Sequence, residues 1–352
     1  MTHHILLLFG GESPEHDISL RSARTIDQAL QSTPHRVSYG YIDRHGQWWL
    51  VSSLDTLAQR RPLHPLLGQR AFQIDNPSER LEPTVLFPIL HGQGGEDGTV
   101  QGLAALLHLP CVGPGLLSAA ITMDKTLTKQ LASAAGVPVV PWHIHQQGQA
   151  YPDYEQLASQ LGTTLFVKPS RTGSSVGVHK VRSAAELTAA LDDALRYDDT
   201  VLIEQAVSAR EIELAAYGHG KDVAISGAGE IIPGEEFYSY DDKYAADSAS
   251  QTRIPADVDD ETLATLQSYA RTAYQATAGH GMARIDFFLC PDGQIFLNEI
   301  NSIPGFTSIS MYPKLWEAAG IPIAALVEQL ITNALAETVH PVAERPASQA
   351  LA

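Results

Sequence analysis

Two alternating runs near the C-terminus, Gly281-Met282-Ala283-Arg284-Ile285-Asp286-Phe287-Phe288 and Phe296-Leu297-Asn298-Glu299-Ile300-Asn301, are separated by a Pro291-Asp292-Gly293 turn. Their apolar residues recur with the period of two of half-buried strands, and the turn makes the pair a β-hairpin. Pairing sets Asp286 against Glu299 on one face, with Asn301 two residues further along it. Two carboxylates and an amide oxygen so placed repel unless a cation lies among them. Hard oxygen donors of this kind suit Mg²⁺ shared with substrate phosphates. A solvated hairpin carrying an Arg284–Asp286 ion pair accounts for the same residues, and the segment alone leaves both readings open.

At 352 residues the chain is long for one core, and two or three domains are expected. Its 44% hydrophobic and 18% charged residues make a globular composition. A net charge of −17 argues against nonspecific nucleic-acid binding, although a few local basic residues suffice to hold phosphates. The two cysteines, Cys111 and Cys290, form neither a disulfide framework nor a zinc spacing, which fits a reducing cytoplasm. The start, Met1-Thr2-His3-His4 before Ile5–Phe9, lacks a basic leader, and no stretch approaches the ~20 apolar residues of a membrane span. The expectation is a cytoplasmic protein with no membrane or nucleic-acid partner.

The fold class reads as α/β. A buried strand from Ile5 to Phe9 ends in Gly10-Gly11 and leads into a helix over 16–30. A second strand, 84–90, ends at His91 and a glycine-rich loop, before a helix over 99–107 capped by Thr99. Strand, glycines, helix is the opening of an open parallel sheet, where ligands collect beyond the strands' carboxyl ends. This N-terminal domain is expected to cover 1–113. A helix over 117–135 stops at Gly136-Val137-Pro138. Strands at 139–144, 164–168 and 200–205 and a helix near 184–196 make a middle unit, 114–208. Alternating strands, a helix at 258–278, the hairpin and a helix at 321–337 fill 209–342, and residues 343–352 read as a loose tail. The polar stretch 232–251 has the length of a lid or binding loop.

The middle unit carries Val167-Lys168-Pro169-Ser170-Arg171-Thr172-Gly173-Ser174-Ser175-Val176-Gly177. An apolar strand ends in a lysine, a small-residue loop follows, and a further strand is expected from Val176. Such a loop presents backbone N–H groups and hydroxyls to an anion, yet it is no P-loop, because Gly-Lys-Ser/Thr opening a helix is absent. By itself it reads equally as a hairpin turn. Lys168 before it, Lys125 in the preceding helix and the acidic hairpin beyond are the parts a triphosphate needs.

The ordered motifs then resemble a known family. Met123-Asp124-Lys125, Val167-Lys168-Pro169 with Gly173-Ser174-Ser175-Val176-Gly177, Ile203-Glu204-Gln205, Arg210-Glu211-Ile212-Glu213, Arg284-Ile285-Asp286 and Asn298-Glu299-Ile300-Asn301 through Thr307 resemble the ATP-grasp ligases, and more narrowly the D-alanine–D-alanine ligases. The likeness includes Phe9-Gly10-Gly11 through Leu20 and His91-Gly92 through Gly102, so it spans about residues 5–335. It implies an N-terminal substrate-binding domain followed by a two-lobed ATP-grasp unit, α+β in that part, and a homodimer. Lys125 and Lys168 are implied to hold the α- and β-phosphates with help from Ser175. Glu204 and Val207 are implied to flank adenine, and Glu211 to take the ribose. Asp286, Glu299 and Asn301 are implied to ligate two Mg²⁺, with Mn²⁺ as a substitute. Residues 237–244 look like the mobile lid, with Lys243 near the γ-phosphate. Glu15, Ser174 and Tyr244 are the implied hydrogen-bonded set around the first D-alanine, with His91 a further substrate contact. Arg284 and the backbone N–H of Gly305 are the implied oxyanion support, and Ser310 the implied contact for the second substrate's carboxylate.

Those parts suit ligation because a carboxylate is a poor electrophile at neutral pH. Phosphoryl transfer from ATP activates it as an acyl phosphate, which an amine then attacks. D-Serine or D-lactate as the second substrate is the alternative. In the D-lactate branch a histidine typically replaces the lid tyrosine, and Tyr244 therefore favours an amine nucleophile.

Overall fold

The computed structural model describes residues 2–232 and 251–336, arranged around three sheets. The first has seven strands in the order β6-β5-β4-β3-β2-β1-β7. They are β1 (His4–Gly10), β2 (Arg36–Ile42), β3 (Trp48–Val51), β4 (Arg60–Leu66), β5 (Ala71–Ile74), β6 (Asn76–Leu81) and β7 (Val85–Pro88). Strand β1 is parallel to β2 and β7, the expected parallel core. Its Ile5–Phe9 run is buried on both faces, as a near-continuous apolar strand requires. From β2 outward the sheet continues as an antiparallel meander. Helix α1 (His16–Leu30) makes the crossover and packs Ile18, Ser22, Ile26 and Ala29 against the sheet at helical spacing.

The middle sheet is antiparallel in the order β10-β9-β11-β8, from β8 (Trp142–Gln146), β9 (Leu165–Pro169), β10 (His179–Val181) and β11 (Thr200–Gln205). Helices α5 (Tyr154–Leu161) and α6 (Ala184–Ala194) share its core with Leu165, Val167, Val201 and Ile203. The third sheet, β14-β13-β12-β15-β16, is also antiparallel. Its strands are β12 (Arg210–His219), β13 (Ala224–Ile232), β14 (Gln251–Arg253), β15 (His280–Leu289) and β16 (Ile295–Asn301). The helix Asp260–Ala276 packs into a core with Ile212, Leu214, Ile285 and Leu297. The helices Met311–Ala318 and Ile323–Ala336 lie in a different cluster, which continues into Ile5, Leu7 and Phe9 of β1. One apolar core thus joins the last helix to the first strand. Among the described residues no single helix is long and apolar enough to cross a membrane.

Three local expectations change. The helix expected over 117–135 is two, α3 (Leu116–Met123) and α4 (Lys125–Ala134). Asp124 breaks it in an extended conformation and caps α4, accepting from the N–H groups of Thr126 and Leu127 at 2.9 and 3.1 Å. Helix α2 (Thr99–Leu106) is entered through Gly98 in the left-handed region, so Thr99 is its first residue and not its cap. The strand expected from Val176 starts at His179 because the chain is still turning at Gly177.

Candidate active site

The hairpin forms with the expected register: Asp286 pairs with Glu299 and Arg284 with Asn301. On its other side β15 pairs Asp286 with Glu213, so three carboxylates lie in a row across three adjacent strands. Like charges opposite one another destabilise a sheet, and cations answer them here. Arg284 donates to both carboxylate oxygens of Asp286 at 2.8 Å and its Nε lies 3.1 Å from Glu213 Oε2. Burial opposes its charge, but Asp286 and Glu213 hold its pKa well above the ordinary arginine value. The ion pair and the oxygen-donor row are therefore both present. Asn301 Nδ2 donates to Asp286 Oδ2 at 3.0 Å, while Lys125 Nζ stands 3.4 Å from Glu299 Oε2. Among the described residues no three His, Cys, Asp or Glu side chains enclose a metal site. Asp286, Glu299 and the Asn301 amide oxygen make an open set of hard donors, which suits a hydrated Mg²⁺ sharing ligands with phosphates.

The register slips by one residue between Asp286 and Phe287, where Leu297 and Glu299 face consecutive residues of β15 and Asn298 is the extra one. This bulge resets the alternation: Leu297 and Ile300 are both buried, while Asn298, Glu299 and Asn301 stay partly open.

Helix α4 and strand β9 supply the cations. Lys125 Nζ donates to the Thr172 carbonyl at 2.7 Å at the edge of the Gly173–Ser175 loop. Lys168, the penultimate residue of β9, lies beside Glu204 of the paired strand β11, at 2.5 Å from Oε2. Lys129, one turn after Lys125, reaches Glu204 Oε1 at 2.6 Å. Burial would raise the Glu204 pKa, but Lys129 and Lys168 together hold it below the usual carboxylate range. The sequence signal for Lys129 is its spacing of three from both Thr126 and Ala132, which puts it on their face of α4, the face that is buried. Lys125, Lys168, Ser174, Ser175, Glu204, Val207, Glu211 and Glu299 all line one cavity of about 240 Å³.

A second cavity, about 570 Å³, is lined by Glu12, Ser13, Glu15, Gly92, Thr172 and Ser174 among others. At its wall the Ser174 hydroxyl donates to Glu15 Oε1 at 2.5 Å. Ser174 and Ser175 both have left-handed backbones, φ 52° and 59°, a conformation that costs non-glycine residues energy and tends to be kept at binding sites. Gly92 makes room for the carboxylate, since a Cβ there would stand 2.8 Å from Glu15 Oε2. A narrow space of about 30 Å³, bounded by Gly92, Glu96, Lys125, Gly173, Glu299 and Asn301, shares walls with both cavities.

The loop after β16 is held from below. His91 is buried, with Nδ1 3.0 Å from the Ile303 carbonyl and Nε2 3.0 Å from Ser22 Oγ, so the protein engages both ring nitrogens. Glu96 accepts from the N–H groups of Gly92 and Ile303 at 2.8 and 3.0 Å. Burial first, then the charge of Glu15, push its carboxyl up to about 8. Phe306 N–H donates to Ser22 Oγ at 3.2 Å. Ser310 Oγ accepts from Thr307 N–H at 3.0 Å and packs against Gly305, where an added Cβ would lie 2.8 Å from it. The lid expected at 232–251, with Lys243 and Tyr244, falls outside the described residues apart from its two ends, as does the tail 343–352.

Residues 4–114 match the family model of the D-ala D-ala ligase N-terminus, and residues 131–332 that of its C-terminus. The D-alanine–D-alanine ligase A of Chromobacterium violaceum is 44% identical over 345 residues, covering 94% of each chain. The solved structure of the D-alanine-D-alanine ligase from Coxiella burnetii is similar with a TM-score of 0.86 and 37% identity, over 96% of this chain and 95% of that one. The VanG D-Ala:D-Ser ligase of Enterococcus faecalis gives 0.85 at 30% identity, over 95% and 100%.

Proposed function

The chain belongs to the D-alanine–D-alanine ligase family and has its ATP-grasp fold, and from that premise we propose that it joins two D-alanine molecules at the expense of ATP, through an acyl phosphate, for peptidoglycan precursor synthesis in the cytoplasm. ADP and phosphate are the other products. The proposed units are an N-terminal substrate domain (1–113), a middle lobe (114–208) and a C-terminal lobe (209–342) with its lid, acting as a homodimer.

ATP is assigned to the cavity between the middle and third sheets. There Glu204 and Val207 take the adenine end and Glu211 the ribose, while Lys125, Lys168 and the Ser175 turn take the phosphates, with Lys243 closing over the γ-phosphate. Two divalent ions, Mg²⁺ with Mn²⁺ as substitute, held by Asp286, Glu299 and Asn301, would neutralise charge on the transferring group. Glu15, Ser174 and Tyr244 orient the first D-alanine, with His91 beside it. Arg284 and the Gly305 N–H receive the oxyanion formed when the second amine attacks, and Ser310 meets that substrate's carboxylate. Closure over the narrow space keeps water from the acyl phosphate.

The observation that carries the reading is that this space is walled at once by Lys125 and Glu299 of the proposed phosphate site and by Gly92 and Gly173, which flank Glu15. The test is phosphate release from ATP and Mg²⁺ on adding D-alanine; a folded sample with no D-alanine-dependent release counts against it. Similarity to a D-Ala:D-Ser ligase keeps D-serine as the second reading, with D-lactate behind it. A panel of the three acceptors at one pH separates them.

A further inference from the structure

Helix α4 carries two lysines four residues apart, which places them on one face. The proposed phosphate site uses Lys125 and leaves Lys129 without a role. Lys129 is fully buried, at 0% exposure. Lysine is almost never so buried without a partner, and stripping water from an ammonium costs several kcal/mol, a cost an apolar side chain of similar volume would avoid. Its partners are Glu204 Oε1 at 2.6 Å and the Leu297 carbonyl at 3.4 Å.

Glu204 has its other oxygen on Lys168 at 2.5 Å, and both Glu204 and Lys168 line the cavity that Lys129 does not reach. With an ammonium on each oxygen the carboxylate is fixed as an anion in one orientation. It then offers an acceptor to the cavity. Adenine presents the complementary N6 amino donor, whereas guanine presents the O6 acceptor at that position.

We propose that Lys129 is a positioning residue for the nucleotide base: clamping Glu204 from behind the cavity, it aims the carboxylate at the adenine amino group and so sets the preference for ATP over GTP. The proposal rests on assigning Glu204 to the adenine end of the site. Leu297 precedes Glu299 by two residues on β16, so Lys129 also ties the base end to the strand that carries Glu299.

The test is a double-mutant cycle of Lys129→Met and Glu204→Gln, with KM and kcat for ATP and GTP and the melting temperature measured for each variant. In K129M the ATP KM is expected to rise about tenfold or more and the ATP-over-GTP ratio of kcat/KM to shrink about as much, with kcat at saturating ATP within about threefold. Added to E204Q, the same change is expected to alter ATP KM by less than about twofold, because Lys129 acts through Glu204. K129M keeps the Glu204–Lys168 pair and so buries no unpaired charge; if it nevertheless does not fold, Lys129→Gln, which keeps a donor toward Glu204, takes its place in the cycle. An unchanged ATP-over-GTP ratio in folded K129M, or a full further loss on the E204Q background, overturns the proposal while leaving the base site intact. E204Q with unaltered ATP binding and selectivity removes the base-site assignment, and the proposal with it.

Discussion

Glu15 and Ser174 stand 159 positions apart in sequence and are joined by one 2.5 Å hydrogen bond, which ties the start of α1 to the loop of the middle sheet. The bond orders two elements from different sheets around one cavity. Misplacing a catalytic group by about an ångström costs on the order of 10²-fold. Ser174→Ala is expected to lower kcat/KM for D-alanine by about that factor while ATP KM and melting temperature change little. Unaltered D-alanine kinetics in the folded variant would remove the pair from the substrate site.

Arg284→Lys keeps the charge but loses the two-pronged grip on Asp286. A lysine is a single-point donor, so the substitution is not conservative at this position. We expect kcat to fall about 10²–10³-fold with a smaller change in ATP KM, as for loss of an oxyanion donor. Steady-state rates at saturating ATP check this; a kcat within threefold or so of the parent speaks against the assigned role.

Chelation of divalent ions is expected to abolish turnover, with recovery on adding Mg²⁺ or Mn²⁺. Glu299→Gln leaves Asp286 and Asn301 in place, and should raise the Mg²⁺ concentration for half-maximal rate by about tenfold or more. A Mg²⁺ titration identical to the parent's would place the ion elsewhere.

Glu96 links protonation to stability. Its carboxyl is raised from 4.5 to about 8, by burial and then by Glu15. Between those values the folded chain keeps a proton that the unfolded chain has released. Stability contributed at this position is therefore greatest below pH 4.5 and is lost as pH rises toward 8. Glu96→Gln is neutral throughout, so its melting temperature should fall a few degrees less than the parent's across this interval. Equal slopes in thermal scans would assign the effect to another group.

Gly281 adopts φ +69° and lies so close to Gly113 that a Cβ would sit 1.7 Å from its carbonyl oxygen. Here the third sheet presses on the chain leaving the first. Gly281→Ala is expected to destabilise by at least about 2 kcal/mol, from strain and overpacking together. Chemical denaturation measures it, and a loss below about 0.5 kcal/mol would mean the joint relaxes freely.

Much of this arrangement was legible where a residue pattern serves one physical purpose. Helix α1 runs over 16–30 as expected because its apolar spacing is regular, and the hairpin register follows from strand alternation. Strands β4 and β6 escape such patterns: β4 carries Pro62 and Pro65, which interrupt a ladder, and β6 is a polar edge strand. Lys129 is illegible locally because a helical lysine ordinarily faces water, and only the third dimension shows Glu204 opposite it. Glu96 lies in the glycine-rich loop after His91. Its partner, the Ile303 N–H, is 207 residues away, beyond any local pattern.

The single extra residue in β16 carries a further consequence. An ordinary strand can turn only every second side chain toward a ligand, so four positions yield two contacts. With Asn298 inserted, the stretch from 298 to 301 shows three polar side chains to the cleft and still hands Leu297 and Ile300 to the interior. The hairpin thereby gains a loop's density of ligands while keeping the stiffness of a ladder. Removing Asn298 would leave every core contact in phase and thin the polar display by one, a change in recognition with almost no change in fold.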